Sequence, residues 1–314
     1  MGVGEGIDVL QDEEAMRAAL EFEEHDLLIN YPGELGKFFM NALERSGFIS
    51  FLGKKGVGKS FWLMDMAYRA MLQRKRVAYF EVGDMGKNQT IRRLMIRASE
   101  RPRSACDIFI PTKIYKNKNK QVKRNTELKE FTEKLSWRKA RKACRQVMQK
   151  KIKSKDSYLK LSCHYNSTLS VDGIEGFLQD WERGGWIPDI IVIDYADILR
   201  MDYPKFEGRD VINETWKRLR SLSQRRHCLV ITATQSDANS YNRGTMKMDN
   251  FSDDRRKIDS VTGMIGINQT EQKKSLGIMR LNWVSLRDDE FHPAKCIHVA
   301  GCLAIANPAI RSCY

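Results

Sequence analysis

Short apolar runs closed by glycine or acid alternate with amphipathic stretches along most of the chain. The run Gly47-Phe48-Ile49-Ser50-Phe51-Leu52 leads into Gly53 and predicts a buried strand. Phe61, Leu63, Met64, Met66 and Ala67 follow as the apolar members of a helix. Val77 to Val82 predicts a second strand, closed by Gly83, and Gln89 to Ser99 a second helix. Near residue 159 the alternation resumes. Ser170 is placed to cap a helix carrying Ile174, Phe177, Leu178 and Trp181, which Gly184-Gly185 ends. Asp189-Ile190-Ile191-Val192-Ile193-Asp194 is apolar throughout its middle, as expected of a strand covered on both faces. A helix with Ile212, Trp216, Leu219 and Leu222 on one face leads to a strand at Cys228–Ala233, with later strands expected at Thr262–Asn268, Gly277–Val284 and Cys296–Ala300. Strand–helix alternation of this kind predicts an α/β fold with a mainly parallel sheet flanked by helices.

Two regions depart from that pattern. Residues 1–45 are expected to form a helical extension, with Met16, Ala19, Leu20 and Leu27 at helical spacing and a turn at Tyr31-Pro32-Gly33. The remaining residues, 46–314, are expected to form one domain with a basic helical and loop insertion at 101–160. Within it, Lys113–Arg124 is expected to be a loop. Glu127–Lys155 is expected to be a helix, from the spacing of Leu128, Phe131, Leu135, Cys144, Val147 and Met148.

Composition and charge sharpen this. Of the 314 residues, 42% are hydrophobic, which excludes collagen-like and globally disordered chains. No apolar run reaches the length of a membrane-spanning helix. The acidic start lacks the basic and apolar parts of a secretory signal. The seven cysteines are scattered without a CxxC pair or zinc-ligand spacing, so reduced thiols and a cytoplasmic location are expected. The net charge of +14 lies unevenly: Lys113–Lys160 holds 18 basic and 4 acidic residues, while the first 27 residues hold nine acids and one arginine. Such a basic segment points to a polyanionic partner.

The sharpest chemical feature is Gly53-Lys54-Lys55-Gly56-Val57-Gly58-Lys59-Ser60, a G-x-x-x-x-G-K-[ST] phosphate-binding loop between a strand and a helix. Its glycines let several N–H groups converge on one anion, and the helix dipole adds to them. Lys59 is expected to reach the outer phosphates and the Ser60 hydroxyl to ligate Mg²⁺. Asp194, ending an aliphatic strand, fits the second metal-shell carboxylate, the Walker B position. Asp197 reads as a loop or capping residue. Tyr195 follows Asp194, so the group that orients water must lie elsewhere. Glu81 and Asp84 are the candidates, on a strand expected beside that of the phosphate loop. Gln235, at the end of Thr232-Ala233-Thr234-Gln235, is a candidate sensor of the γ-phosphate.

This order of motifs resembles the RecA-like ATPase core, in particular the C-terminal motor domain of DnaB-type replicative helicases and their phage relatives. In that family the second strand ends in Glu-Met, the Glu being the catalytic base; Asp84-Met85 stands there. Asp194-Tyr195 matches the family's Walker B ending, and Thr234-Gln235 its Ser-Gln. The family's Lys-x-Arg, which reaches a neighbour's nucleotide, is matched by Ser285-Leu286-Arg287 without the lysine. The resemblance implies ATP and Mg²⁺ as ligands, Arg287 as a finger acting in trans, a homo-oligomeric ring or filament, single-stranded DNA as partner, and a bacterial or phage-infected cell. It covers residues 25–100 and 165–290; the basic stretch has no counterpart.

Within that stretch Lys116, Lys118, Lys120, Lys123 and Arg124 cluster near Tyr115, and Arg138, Lys139, Arg141, Lys142 and Arg145 near Trp137. Cations that neutralise phosphates beside rings that stack on bases are the means of holding single strands. The rival readings are a nucleotide-gated binding switch with little turnover and a small-molecule kinase.

Overall fold

The computed structural model describes residues 11–14, 16–17, 27–201, 209–236, 246, 256–287, 290–292 and 295–314. Most of the helix expected before Leu27 lies outside them. Among the described residues no helix is long and apolar enough to cross a membrane.

A nine-stranded sheet forms the centre. Its strands are β1 (Phe48–Gly53), β2 (Val77–Glu81), β5 (Leu159–Cys163), β6 (Ile190–Asp194), β7 (Leu229–Gln235), β8 (Gly263–Asn268), β9 (Ile278–Leu286), β10 (Cys296–Cys302) and β11 (Asn307–Cys313). Their order is β11-β10-β9-β8-β1-β7-β6-β2-β5. The pairings from β8 through β5 are parallel, while β9, β10 and β11 add an antiparallel extension. The strand expected beside β1 is therefore elsewhere: β7 and β6 separate β2 from β1, and β2 instead borders β6, the strand that ends in Asp194.

Alternation along each strand feeds two cores. Ile49 and Phe51 of β1, Val192 of β6 and Ile231 of β7 face one side. There they meet Trp62 and Met66 of α2 (Lys59–Leu72) and Phe38 and Phe39 of α1 (Gly33–Phe39). Phe48, Leu52, Ile193 and Val230 face the other side, against Ile174 and Leu178 of α5 (Val171–Arg183) and Trp216 and Leu219 of α6 (Arg209–Arg225). Ser170 caps α5 by accepting the Gly173 N–H at 3.1 Å, as its position predicted.

The segment before β1 is tied into the first core. Leu27 and Leu28 are not helical: Leu27 bridges Glu44, and the Leu28 N–H donates to the Leu43 carbonyl at 2.9 Å. Phe38 stacks on Trp283, centroids 5.2 Å apart. The Tyr31 hydroxyl donates to Asp65 at 3.1 Å. Asp65 is fully buried and also accepts from Arg97 of α3 (Lys87–Ser99) at 2.8 Å and from Arg69 at 2.8 Å.

At the β5 end of the sheet, the edge strand is only five residues long. The Lys160 ammonium lies 5.2 and 4.5 Å from the ring centroids of Trp181 and Trp186.

The insertion differs most from expectation. Lys113–Arg124 is no loop, and the helix expected from Glu127 begins ten residues later. Instead β3 (Cys106–Lys116) and β4 (Val122–Phe131) form an antiparallel hairpin, and α4 (Trp137–Gln146) follows, continued by a π turn at Val147–Ile152. Asn117 closes the tip, its side-chain oxygen accepting the Gln121 N–H at 2.8 Å. Ile108 and Phe131 pack on Ile305, and Ile114 packs on Ile278 and Ala300. The hairpin thus rests on the antiparallel end of the sheet, while α4 packs toward α3, where the Cys144 Sγ lies 3.5 Å from the Met95 Sδ.

Candidate active site

β1 and its parallel neighbours end on one edge of the sheet, and the residues singled out for phosphate chemistry collect there. The phosphate loop leaves β1 at Gly53 and enters α2 through Gly56 (φ 77°) and Gly58 (φ 102°), both in the left-handed region that glycine adopts without strain. A Cβ on Gly53 would lie 2.8 Å from Val57 Cγ1. The first turn of α2 has no side-chain cap and no acidic residue, leaving its N–H groups and dipole turned to the loop. Lys54 is half-buried, while Lys55 and Gly56 are exposed on the rim.

Lys59 is buried, and its Nζ donates to the carbonyls of Gly53 at 2.7 Å and Lys54 at 3.0 Å. Burial lowers its pKa to about 8, opposed by Asp197, Asp194 and Asp84. The Ser60 hydroxyl donates to Asp194 Oδ1 at 3.0 Å, joining the loop to the end of β6. The other Asp194 oxygen accepts from the Tyr79 hydroxyl at 3.0 Å. Asp194 is 1% exposed, and burial raises its pKa to about 6 against those two hydrogen bonds.

The two acidic candidates on β2 occupy different environments. Glu81 lies opposite Asp194 in the β2–β6 register and is fully buried. Its Oε1 accepts the Met85 N–H at 2.9 Å, while Oε2 is buried without a partner. Burial, reinforced by Asp194, raises its pKa to about 8, so Glu81 is mostly neutral at pH 7. Asp84 is exposed on the turn that follows, close enough to influence Lys59, Asp194 and Tyr195. Gly83 makes that turn possible: its φ is 112°, and a Cβ there would sit 2.3 Å from the Asn166 nitrogen.

Gln235 pairs with Gly53 across β1 and β7, and its Nε2 donates to the Tyr195 hydroxyl at 3.1 Å. Behind it lies a network that sequence reading missed. Asp197, expected only to cap or line a loop, accepts from Thr234 at 2.6 Å, Trp216 at 3.1 Å and Lys257 at 2.9 Å. Lys257, on the short helix α7 (Lys257–Ser260), is fully buried. These partners lie 19 to 60 residues from Asp197, and no local motif joins them.

Arg287 is not part of this edge. It follows Leu286, which pairs with Gly263, which in turn pairs with Ile49 near the start of β1. The span from Ile49 to Gly53 is about 13 Å of strand, so Arg287 sits at the far side of the sheet from its own phosphate loop. Its guanidinium donates to the Asp259 carbonyl. The ten basic candidates divide between two elements. Lys116, Lys118, Lys120, Lys123 and Arg124 belong to the hairpin, and Arg138, Lys139, Arg141, Lys142 and Arg145 are exposed on α4.

The donor set fits Mg²⁺ bound together with a nucleotide. Ser60 and Asp194 offer hard oxygens, and among the described residues no cluster of three or more His, Cys, Asp or Glu forms an all-protein metal cage. Mg²⁺ commonly takes one or two protein oxygens with phosphates and water completing its shell.

No protein-family model matches the sequence, and no curated protein is significantly similar to it. Solved structures do match. The isolated ATPase domain of one DnaB-like helicase superposes with a TM-score of 0.71 at 14% identity, covering 96% of this chain and 98% of that one. A second DnaB-like replicative helicase, determined in a study of its interactions with primase, superposes with a TM-score of 0.70 at 16% identity, covering 95% of this chain and 67% of that one. The chain has the RecA-like α/β fold of DnaB-type helicase ATPase domains.

Proposed function

We propose that this chain binds and hydrolyses ATP with Mg²⁺ and works as an oligomeric motor on single-stranded DNA. The observation that supports the reading is the 3.0 Å contact between Ser60 and Asp194 beside the glycine loop, which joins the two side chains that would share Mg²⁺.

In this reading Gly53 to Ser60 cradle the phosphates. Lys59 exchanges its two carbonyl acceptors for phosphate oxygens. Ser60 and Asp194 hold Mg²⁺, which when bound neutralises charge on the β- and γ-phosphates. Asp84 accepts a hydrogen bond from the attacking water and orients it. Glu81, neutral and buried, fixes the Asp84 turn through the Met85 N–H. Gln235 reads the γ-phosphate and passes its state through Tyr195. Arg287, beyond the opposite end of the strands from its own loop, serves the nucleotide of a neighbouring subunit, which requires a ring or filament.

The test is ATP turnover by purified chain with and without single-stranded DNA. Turnover stimulated by DNA and lost in Lys59→Ala supports the motor. The side chain of Asp84 is one methylene shorter than the glutamate of the helicases, and this favours a second reading, a nucleotide-gated switch. Tight ATP binding with negligible turnover in the presence of DNA would select it. Phosphorylation of a small acceptor, independent of DNA, would replace both.

A further inference from the structure

The hairpin does not close fully onto the sheet. Between its outer half and the start of β9 lies a cleft of about 910 Å³. Lys116, Lys120, Lys123 and Arg124 line it from the hairpin. Lys273, on the short helix α8 (Glu271–Ser275), and Arg280, on β9, line it from the other side. No carboxylate is among its lining residues. Burial, then Arg280, lowers the pKa of Lys273, and burial alone lowers that of Arg124. His298, in the same wall, is 8% exposed, and its Nδ1 has no hydrogen-bond partner. Burial, with Lys273, Lys116 and Arg280, drives its pKa to about 4, so it remains a neutral polar group. Arg124, Lys273 and Arg280 are half-buried and Lys116, Lys120 and Lys123 exposed; six like charges gathered in one cleft with no lining carboxylate attract a polyanion.

Phe109 indicates which polyanion. The residue, 57% exposed, lies between this cleft and a second one of about 280 Å³ that reaches Gly56 of the phosphate loop. Arg124 borders both. An exposed ring beside a row of cations suits a strand with unpaired bases, whose faces a duplex hides.

We infer that the cleft between the β3–β4 hairpin and β9 is a track for single-stranded nucleic acid. Its phosphodiesters lie on the six cations and one base stacks on Phe109. This rests on the proposal that the chain acts on DNA, and it narrows that proposal to one surface, leaving α4 outside it. A strand in the track also touches Arg124 and Phe109, which border the second cleft at Gly56.

The test is fluorescence anisotropy of a labelled oligo-dT with the full chain over a range of salt. Lys120→Glu/Lys123→Glu, at exposed positions near the hairpin tip, should weaken binding at least about tenfold and reduce the salt slope by about 1.4, roughly 0.7 for each phosphate left without its cation. Phe109→Ala should weaken it about fivefold or more with the slope unchanged, as loss of a stacked base does. Thermal unfolding of the same samples reports the fold. Wild-type affinity in a folded hairpin pair, or loss carried instead by Arg138→Glu/Arg141→Glu, overturns the track. So does unlabelled polyphosphate competing as well as oligo-dT while Phe109→Ala is silent. Uptake of a fluorescent ATP analogue by the unaltered chain is scored separately. Its absence, with the hairpin effects intact, would strike the nucleotide reading and leave the track standing.

Discussion

Lys59 holds its positive charge against two backbone carbonyls, which in the proposed function it exchanges for phosphate oxygens. Because burial brings its pKa down to about 8, the ammonium is present at pH 7 and lost progressively as pH rises through 8. ATP affinity should therefore fall severalfold or more between pH 7 and 9, and calorimetric titration in buffers of different ionisation heat should show proton uptake on binding near pH 8. Asp194 titrates at the other end. With its pKa raised to about 6, the metal-dependent part of ATP affinity should weaken as pH falls through 6, by up to about tenfold per pH unit below it, because a proton then competes with the metal for the carboxylate. The two acids of β2 should separate by variant. Asp84→Asn should cut turnover by about 10²-fold with ATP binding retained, the scale of a lost general base. Glu81→Gln keeps the acceptor for the Met85 N–H and should retain turnover. It should also stabilise the fold. The unfolded glutamate ionises near 4.5 and the folded one near 8, so wild-type stability falls across that interval as pH rises. The advantage of glutamine should grow over the same interval, and urea unfolding at pH 5 and pH 8 measures it.

Among the elements, the contacts between β7, α6 and α7 converge on the buried pair Lys257–Asp197. Lys257→Met fills the space but strands Asp197, and should cost about 3–5 kcal/mol in urea unfolding. Adding Asp197→Asn should recover much of that loss, because the orphaned charge goes with it. That pair also shows where sequence reading stops. The strands β1, β6 and β7 were legible because each is a run buried on both faces. The phosphate loop and Asp194 were legible because their chemistry is contiguous with those runs. Lys257 and Asp197 are 60 residues apart, and nothing local marks either as buried. The hairpin was hidden differently. Most of β4 is exposed and carries lysine and glutamate where a packed strand would carry valine, so no period of two stands out. Pro308, near the start of β11, similarly disguised the last strand. Phe131, spaced like a helical residue from Leu128 and Leu135, instead ends β4. Glu81 and Asp84 were both visible as candidates, but only the three-dimensional arrangement shows that one is buried and the other faces water.

For the molecule as a whole, the position of Arg287 leads to a prediction that one subunit cannot satisfy. If active sites are shared, Lys59→Ala and Arg287→Ala chains should each be inactive alone. Mixed in equal amounts, they should recover up to about a quarter of wild-type turnover, from junctions that pair an intact loop with an intact arginine. No recovery on mixing subunits that do exchange would place the arginine outside the reaction. The sheet carries a further consequence at its β5 end. A strand there offers unpaired amides to any other chain, yet its second residue holds an ammonium over two indole rings. A molecule adding itself alongside would have to strip that cation of water. If Lys160 guards this edge, Lys160→Val should leave the chain folded while turning concentrated solutions turbid.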